Sequence, residues 1–217
     1  MPDLNFQIAG VEPATNGLTP LLLFKLQISN AATDEKISGV FLNAQIQIQP
    51  AQRAYNPVEK EKLVELFGEP KRWGETLRNR LWSHANTAVG PFTGHTDINL
   101  PVSCTFDLNI ASAKYFYALD SGEVALLFLF SGSIFYAAPD GRLQIERISW
   151  NKECAYRMPI QMWRDLMQRH YPNSAWLALR RDVFDRLYEH KRKNGLPTWE
   201  QVIEQLLPAE VAEEATA

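Results

Sequence analysis

From Ile98 to Ile110 every second residue is apolar: Ile98, Leu100, Val102, Cys104, Phe106, Leu108 and Ile110. Asn99, Pro101, Ser103, Thr105, Asp107 and Asn109 stand between them. A strand turns successive side chains to opposite faces, so this period of two means one buried face and one wet face. It predicts a long strand over 98–110 in a half-exposed antiparallel sheet. The pattern constrains the fold class and carries no chemistry of its own.

The same alternation recurs at Leu4, Phe6 and Ile8, at Leu22, Phe24, Leu26 and Ile28, and at Val40, Leu42, Ala44, Ile46 and Ile48. Asn43, Gln45, Gln47 and Gln49 take the wet side of the last of these. Short polar turns at Asn16-Gly17 and at Thr33 to Lys36 predict that the three segments pair in order as a meander. Val124 to Phe130 is apolar at all seven positions, which predicts a central strand covered on both faces. Gly132 suits a bulge, and Pro139-Asp140-Gly141 a turn into a returning strand with Leu143 and Ile145.

Helical signals interrupt the strands. Asn56-Pro57-Val58-Glu59 places an N-cap, a proline at the first helical position and a capping-box acid ahead of Leu63, Leu66 and Phe67. Trp73, Leu77 and Leu81 at fourfold spacing predict a second helix reaching Trp82, and Val89-Gly90-Pro91 reads as loop. From Pro159 the spacing is helical, through Met162, Trp163, Leu166 and Met167, then Val183, Phe184, Leu187 and Tyr188. A second capping box, Thr198 to Gln201, opens the last helix. The expected fold is mainly β, of α+β type. An antiparallel β-sandwich occupies residues 1–150 with a helical insertion at 53–82, and a helical region at 151–208 docks on it. An acidic tail over 209–217 is expected to be disordered.

Composition narrows the function. Of 25 acidic residues, Glu210, Glu213 and Glu214 lie in the tail, so the body balances 22 acids against 22 bases. A neutral body lacks the basic field that nucleic-acid binding requires. The first residues show no charged and apolar leader and no apolar run spans a bilayer, so a cytoplasmic protein is expected. No nucleophile elbow, phosphate loop or helical zinc pair is present, and no cofactor is expected.

Three candidate sites follow. The insertion gathers Arg53, Tyr55, Arg72, Trp73 and Trp82, residue types that anchor protein interfaces, although Trp73 and its neighbours also suit a cap on the open end of a sandwich. His84, His95 and Asp97 flank one loop and form a conceivable metal set for a small enzyme or metal-delivery protein. Cys154, with Lys152 and Arg157 nearby, is a conceivable reactive thiol, whereas Cys104 falls on an apolar face. Glu59, Glu61 and Glu65 read as a solvated helix face, and Lys191-Arg192-Lys193 as a basic helix end that complements the dipole. Self-assembly into a structural protein is the third class of reading.

Several stretches taken together carry a resemblance: Leu21 to Leu26, Arg53 to Pro57, Leu63 to Gly68, Arg72 to Leu77, Phe92 to Gly94, Ala113 to Phe116, Leu127 to Gly132 and Leu196 to Glu200. The chain resembles, over roughly Leu4 to Leu207, an uncharacterised bacterial family of unknown function with members in actinobacteria and other soil bacteria. That family is associated with the gene neighbourhoods of high-affinity uptake [NiFe] hydrogenases. The resemblance implies an accessory role in assembly, maturation or docking of such a hydrogenase, with a hydrogenase subunit or maturation factor as partner. It supplies no catalytic residue. The lack of C-x-x-C pairs argues against an iron–sulfur cluster held by this chain.

Overall fold

The alternating segments become strands of two sheets in a computed structural model that describes residues 1–15, 17–105, 110–138, 140–175 and 177–207. Strand β1 (Leu4–Pro13) pairs antiparallel with β2 (Leu21–Asn30), Phe6 opposite Ile28. The next strand, β3 (Lys36–Ile48), leaves this hairpin and enters the second sheet. The meander expected from the short turn therefore does not form. β2 and β3 each have one apolar face. In two packed sheets both of these faces turn to the shared core.

Among the described residues the first sheet has the order β1-β2-β6, with β6 at His95–Ser103. β6 thus stops short of the predicted end at Ile110. Cys104 still faces inward, and its N–H donates to the Pro20 carbonyl at 2.9 Å. The rest of the alternation, 106–109, lies outside the described residues, and Ile110 opens helix α3 (Ile110–Ala118). Pro101 is tolerated because β6 ends its sheet. The tail expected at 209–217 also lies outside the described residues.

The second sheet is built on β3 and β7 (Glu123–Ala137), paired antiparallel along Ile37 to Ile48. β4 (Arg80–Val89) and the short β5 (Phe92–Thr93) flank β3 on its other side. Along its own far side β7 pairs first with β9 (Glu153–Pro159) and then with β8 (Leu143–Arg147). The change of partner falls at Gly132, where no register shift interrupts the ladder to β3. Gly132 has φ 142°, and a Cβ there would lie 1.9 Å from the Phe41 carbonyl oxygen, so no other residue fits. The inward side chains of β7 are buried, but Leu127, Leu129 and Phe135 stay half-buried on its outer face, contrary to the expectation of cover on both sides.

Two strands stand where helix or loop was expected. β4 occupies the end of the predicted second helix and the loop beyond it, leaving α2 as Trp73–Thr76 only. β9 lies inside the span expected to be helical. Between the sheets Phe6 stacks on Phe130 at 4.4 Å, and Phe24 meets Phe128 edge-on at 5.1 Å. These aromatic contacts fill the core beside Leu22, Leu26, Leu42 and Ile46.

The chain divides into two units, Met1–Ser174 and Ala175–Ala217. The first includes α4 (Ile160–His170), whose buried Trp163 packs on Phe116 at 5.0 Å and on Tyr117 at 4.9 Å. In the second unit α5 (Arg181–Lys193) and α6 (Trp199–Leu206) pack through Phe184, Tyr188 and Trp199. The basic end of α5 is held locally: Lys191 Nζ donates to the carbonyls of Leu196 and Pro197, and Arg192 pairs with Glu189. No helix among the described residues is long and apolar enough to cross a membrane.

Candidate functional site

The insertion between β3 and β4 consists of a 3-10 turn at Pro50–Gln52, α1 (Pro57–Phe67), a second 3-10 turn at Pro70–Arg72, and α2. α1 starts as its sequence dictates. Asn56 Oδ1 accepts from the Glu59 N–H at 2.8 Å, and Glu59 Oε2 accepts in return from the Asn56 N–H at 3.1 Å. Glu59 does more than cap. Its other oxygen accepts from Arg53 Nη2 at 2.8 Å and from the Asp120 N–H at 3.0 Å. Its side chain is only 2% exposed and that of Arg53 10%, so Glu59 leaves the solvated face expected for it. Arg53 in turn donates to the carbonyls of Ser121 and Glu123, joining the insertion to the start of β7.

Tyr55 continues this network. Its hydroxyl donates to the Pro50 carbonyl at 2.7 Å, so Tyr115 supplies the proton of the 2.8 Å bond between the two phenols. Burial pushes both phenols above their ordinary value, with the neighbouring phenol as a further cause for Tyr55. Trp73 is buried edge-on against Tyr55 at 5.3 Å and donates its indole N–H to the Gly68 carbonyl. Arg80 lies over the Phe67 ring at 4.8 Å and donates to the Leu66 carbonyl.

Of the five residues proposed as a partner surface, Arg53, Tyr55 and Trp73 meet in this cluster, with their polar atoms used within the chain. Trp82 is elsewhere, on β4, buried against Phe116 at 5.1 Å and Phe24 at 6.2 Å. Arg72 alone of the five is fully at the surface. The two tryptophans are therefore core residues. Their large apolar area turned inward as soon as Phe67, Tyr115 and Phe116 offered a buried surface.

The conceivable metal set does not assemble. His84 stands on β4 opposite Gln45, on the outer face of the second sheet. His95 and Asp97 lie on β6, on the outer face of the first sheet, beside Ser29 and Gln27. Among the described residues no group of three His, Cys, Asp or Glu side chains is placed to hold a metal. Cys154 sits on β9 opposite Phe128, and burial pushes its thiol up, with an Ile8 N–H contact opposing. Its basic neighbours bond elsewhere, Lys152 to Asp3 and Arg157 to the Gln52 carbonyl. The Cys104 thiol is pushed up to about 12 by burial.

A different surface carries exposed apolar side chains. On the outer face of the second sheet Phe135 lies opposite Ile145 of β8 and, on the other side, opposite Gly39 of β3. The missing side chain at Gly39 lets Phe41 lean across, and its ring meets Phe135 edge-on at 5.3 Å. Leu143 follows on β8, opposite Ala137. Phe41 is 62% exposed, Ile145 62% and Leu143 63%, and Trp150 in the turn after β8 is 93% exposed. Sequence reasoning passed over this strip. The available signal was Phe41 itself, an aromatic residue in the polar phase of the β3 alternation, ahead of Asn43, Gln45 and Gln47. Its arrangement supplies apolar contact area on a rigid ladder.

One protein-family model matches residues 1–215, nearly the whole chain, and its description is a family of unknown function, DUF6084. No curated protein matches the chain.

Proposed function

This chain belongs to the DUF6084 family of unknown function, and from its own residues we propose that it is a non-enzymatic protein-binding accessory module. The partner meets the outer face of the second sheet. One observation carries the reading: Phe41, Ile145 and Leu143 stay in solvent on well-paired strands and form a contiguous apolar strip with half-buried Phe135. Contiguous exposed apolar strips on folded domains mark interaction surfaces. Their placement on strands rather than on a loop means little ordering is needed on binding. The first partner to test is a subunit or maturation factor of a [NiFe] hydrogenase, on the resemblance of the sequence stretches given above.

Affinity capture from the native host, with the bound proteins identified by mass spectrometry, tests both parts. The wild-type chain is expected to retain a hydrogenase component, and the double variant Phe41→Ser/Ile145→Ser to lose it while keeping its melting temperature. Capture that survives the double variant overturns the surface. A reproducible partner unrelated to hydrogenases overturns the accessory role and keeps the surface.

A further inference from the structure

β8 ends its sheet, paired with β7 on one side and with no strand on the other among the described residues. The ladder bonds show which backbone groups are free. The Ala138 N–H donates to the Arg142 carbonyl at 2.8 Å, and the Ile148 N–H to the Gly132 carbonyl at 3.1 Å. Antiparallel ladders alternate, so Gln144 and Glu146 turn their N–H and C=O toward β7, as do the Arg142 carbonyl and the Ile148 N–H, while the Arg142 N–H donates to Asp140 Oδ1 at 3.1 Å. Leu143 and Ile145 turn theirs outward. Folded proteins guard such an edge with lysine, proline, a bulge or a covering element. β8, Leu143-Gln144-Ile145-Glu146-Arg147, has neither lysine nor proline, and both of its apolar side chains are exposed.

We propose that this edge receives β8 of a second copy of the chain, antiparallel, across a two-fold axis at Gln144. Only outward-facing residues can exchange ladder bonds, so odd positions must meet odd positions. With the axis at Gln144, Leu143 meets Ile145 of the second copy, and Ile145 meets its Leu143. Arg142 then meets Glu146 of the second copy, and by symmetry the ion pair forms twice. Arg147 falls opposite Gly141 and beside Asp140. Moving the axis to Ile145 sets Leu143 against Arg147 and leaves Arg142 facing Ile148. The charge pattern therefore selects both the occupant and the register. Glu146 already lies at this edge, its carboxylate accepting from the Arg147 N–H at 3.1 Å. Arg142 pairs with exposed Asp140 across the turn, a weak bond to exchange. A two-fold pairing is self-complementary and closes on itself.

Joining the edges sets two apolar strips side by side on one continuous sheet, which deepens the protein-binding reading and rests on it for the use of that face. The pairing itself stands on the edge geometry. Sedimentation velocity across a concentration series, with disulfide trapping, tests it. Wild type is expected to dimerise, Glu146→Arg to be monomeric, and Arg142→Glu/Glu146→Arg to dimerise again. In a Cys154→Ser background, Gln144→Cys sits at a non-hydrogen-bonded pair on the axis, where Cα atoms approach to about 4.5 Å, within disulfide reach. It is expected to oxidise to a linked dimer faster than Ile145→Cys, which faces a leucine. A chain monomeric at every concentration, or a dimer indifferent to Glu146→Arg, overturns the proposal. A monomer that loses its partner on Phe41→Ser overturns the pairing and keeps the protein-binding reading. A dimer that keeps its partner on Phe41→Ser does the reverse.

Discussion

The insertion at 50–76 and the outer face of the second sheet both carry aromatic side chains, and they dispose of them in opposite ways. In the insertion Trp73 and Tyr55 turn inward, and their N–H and O–H groups find carbonyls of the same chain. Arg53 spends its guanidinium on Glu59 and on carbonyls of the β7 approach. On the outer face Phe41 and Ile145 stay mostly in solvent, with Phe41 edge-on to Phe135. Residue type alone favours the insertion as an interface. Sidedness reverses that choice, because an aromatic ring already buried has no area left to offer a partner.

The sharpest way to break the contrast is to strike the buried pair. Glu59→Ala strands a nearly buried guanidinium and an N–H and should cost about 3–5 kcal/mol. Trp73→Ala leaves a cavity of similar cost, about 3–5 kcal/mol. Either change should lower the melting temperature by roughly 10 °C in a domain of this size, read by calorimetry. Tyr115→Phe removes one hydrogen bond at about 1 kcal/mol and also changes the alkaline limb. The folded phenols titrate above their unfolded value, so their stabilisation is full below pH 10 and is lost as pH rises beyond it. Urea melts between pH 9 and 11 should fall less steeply for Tyr115→Phe than for wild type. Phe41→Ser/Ile145→Ser should move stability by no more than about 0.5 kcal/mol, since these side chains gain little from folding. The smallest effect belongs to Asp120, whose carboxyl is held below its ordinary value by the Lys62 hydrogen bond and by Asn56. Its contribution is present above the unfolded carboxyl value and lost as pH falls through the folded one, so Asp120→Asn should slightly flatten the acid limb of the melt.

What the sequence made legible was local. The alternation in β1, β2, β3 and the first part of β6 marks buried faces correctly, and the Asn56 capping box starts α1 where expected. Alternation names a face but never a neighbour, so the pattern of β3 does not say that it pairs with β7 rather than β2. β4 was hidden by the register shift against Ile46 and Gln47, which spoils its period around Leu81 and Trp82. β9 alternates through Cys154, Tyr156 and Met158, a stretch short enough to be lost before Pro159 and the helical spacing after it. The burial of Glu59 depends on an Asp120 N–H brought from α3's far end, a contact that no local window contains. The outer strip was half legible. Phe41 breaks the polar phase visibly, but its meeting with Phe135 and Ile145 depends on register across three strands.

The central claim, that the insertion holds the fold while the outer face holds the partner, is tested most directly by one paired measurement on Glu59→Ala and Phe41→Ser/Ile145→Ser. Melting temperature and partner capture are read on the same preparations, below the melting point of both. The account predicts a destabilised Glu59→Ala that still captures, and a double variant as stable as wild type that does not. A stable Glu59→Ala, or a double variant that captures normally, contradicts it.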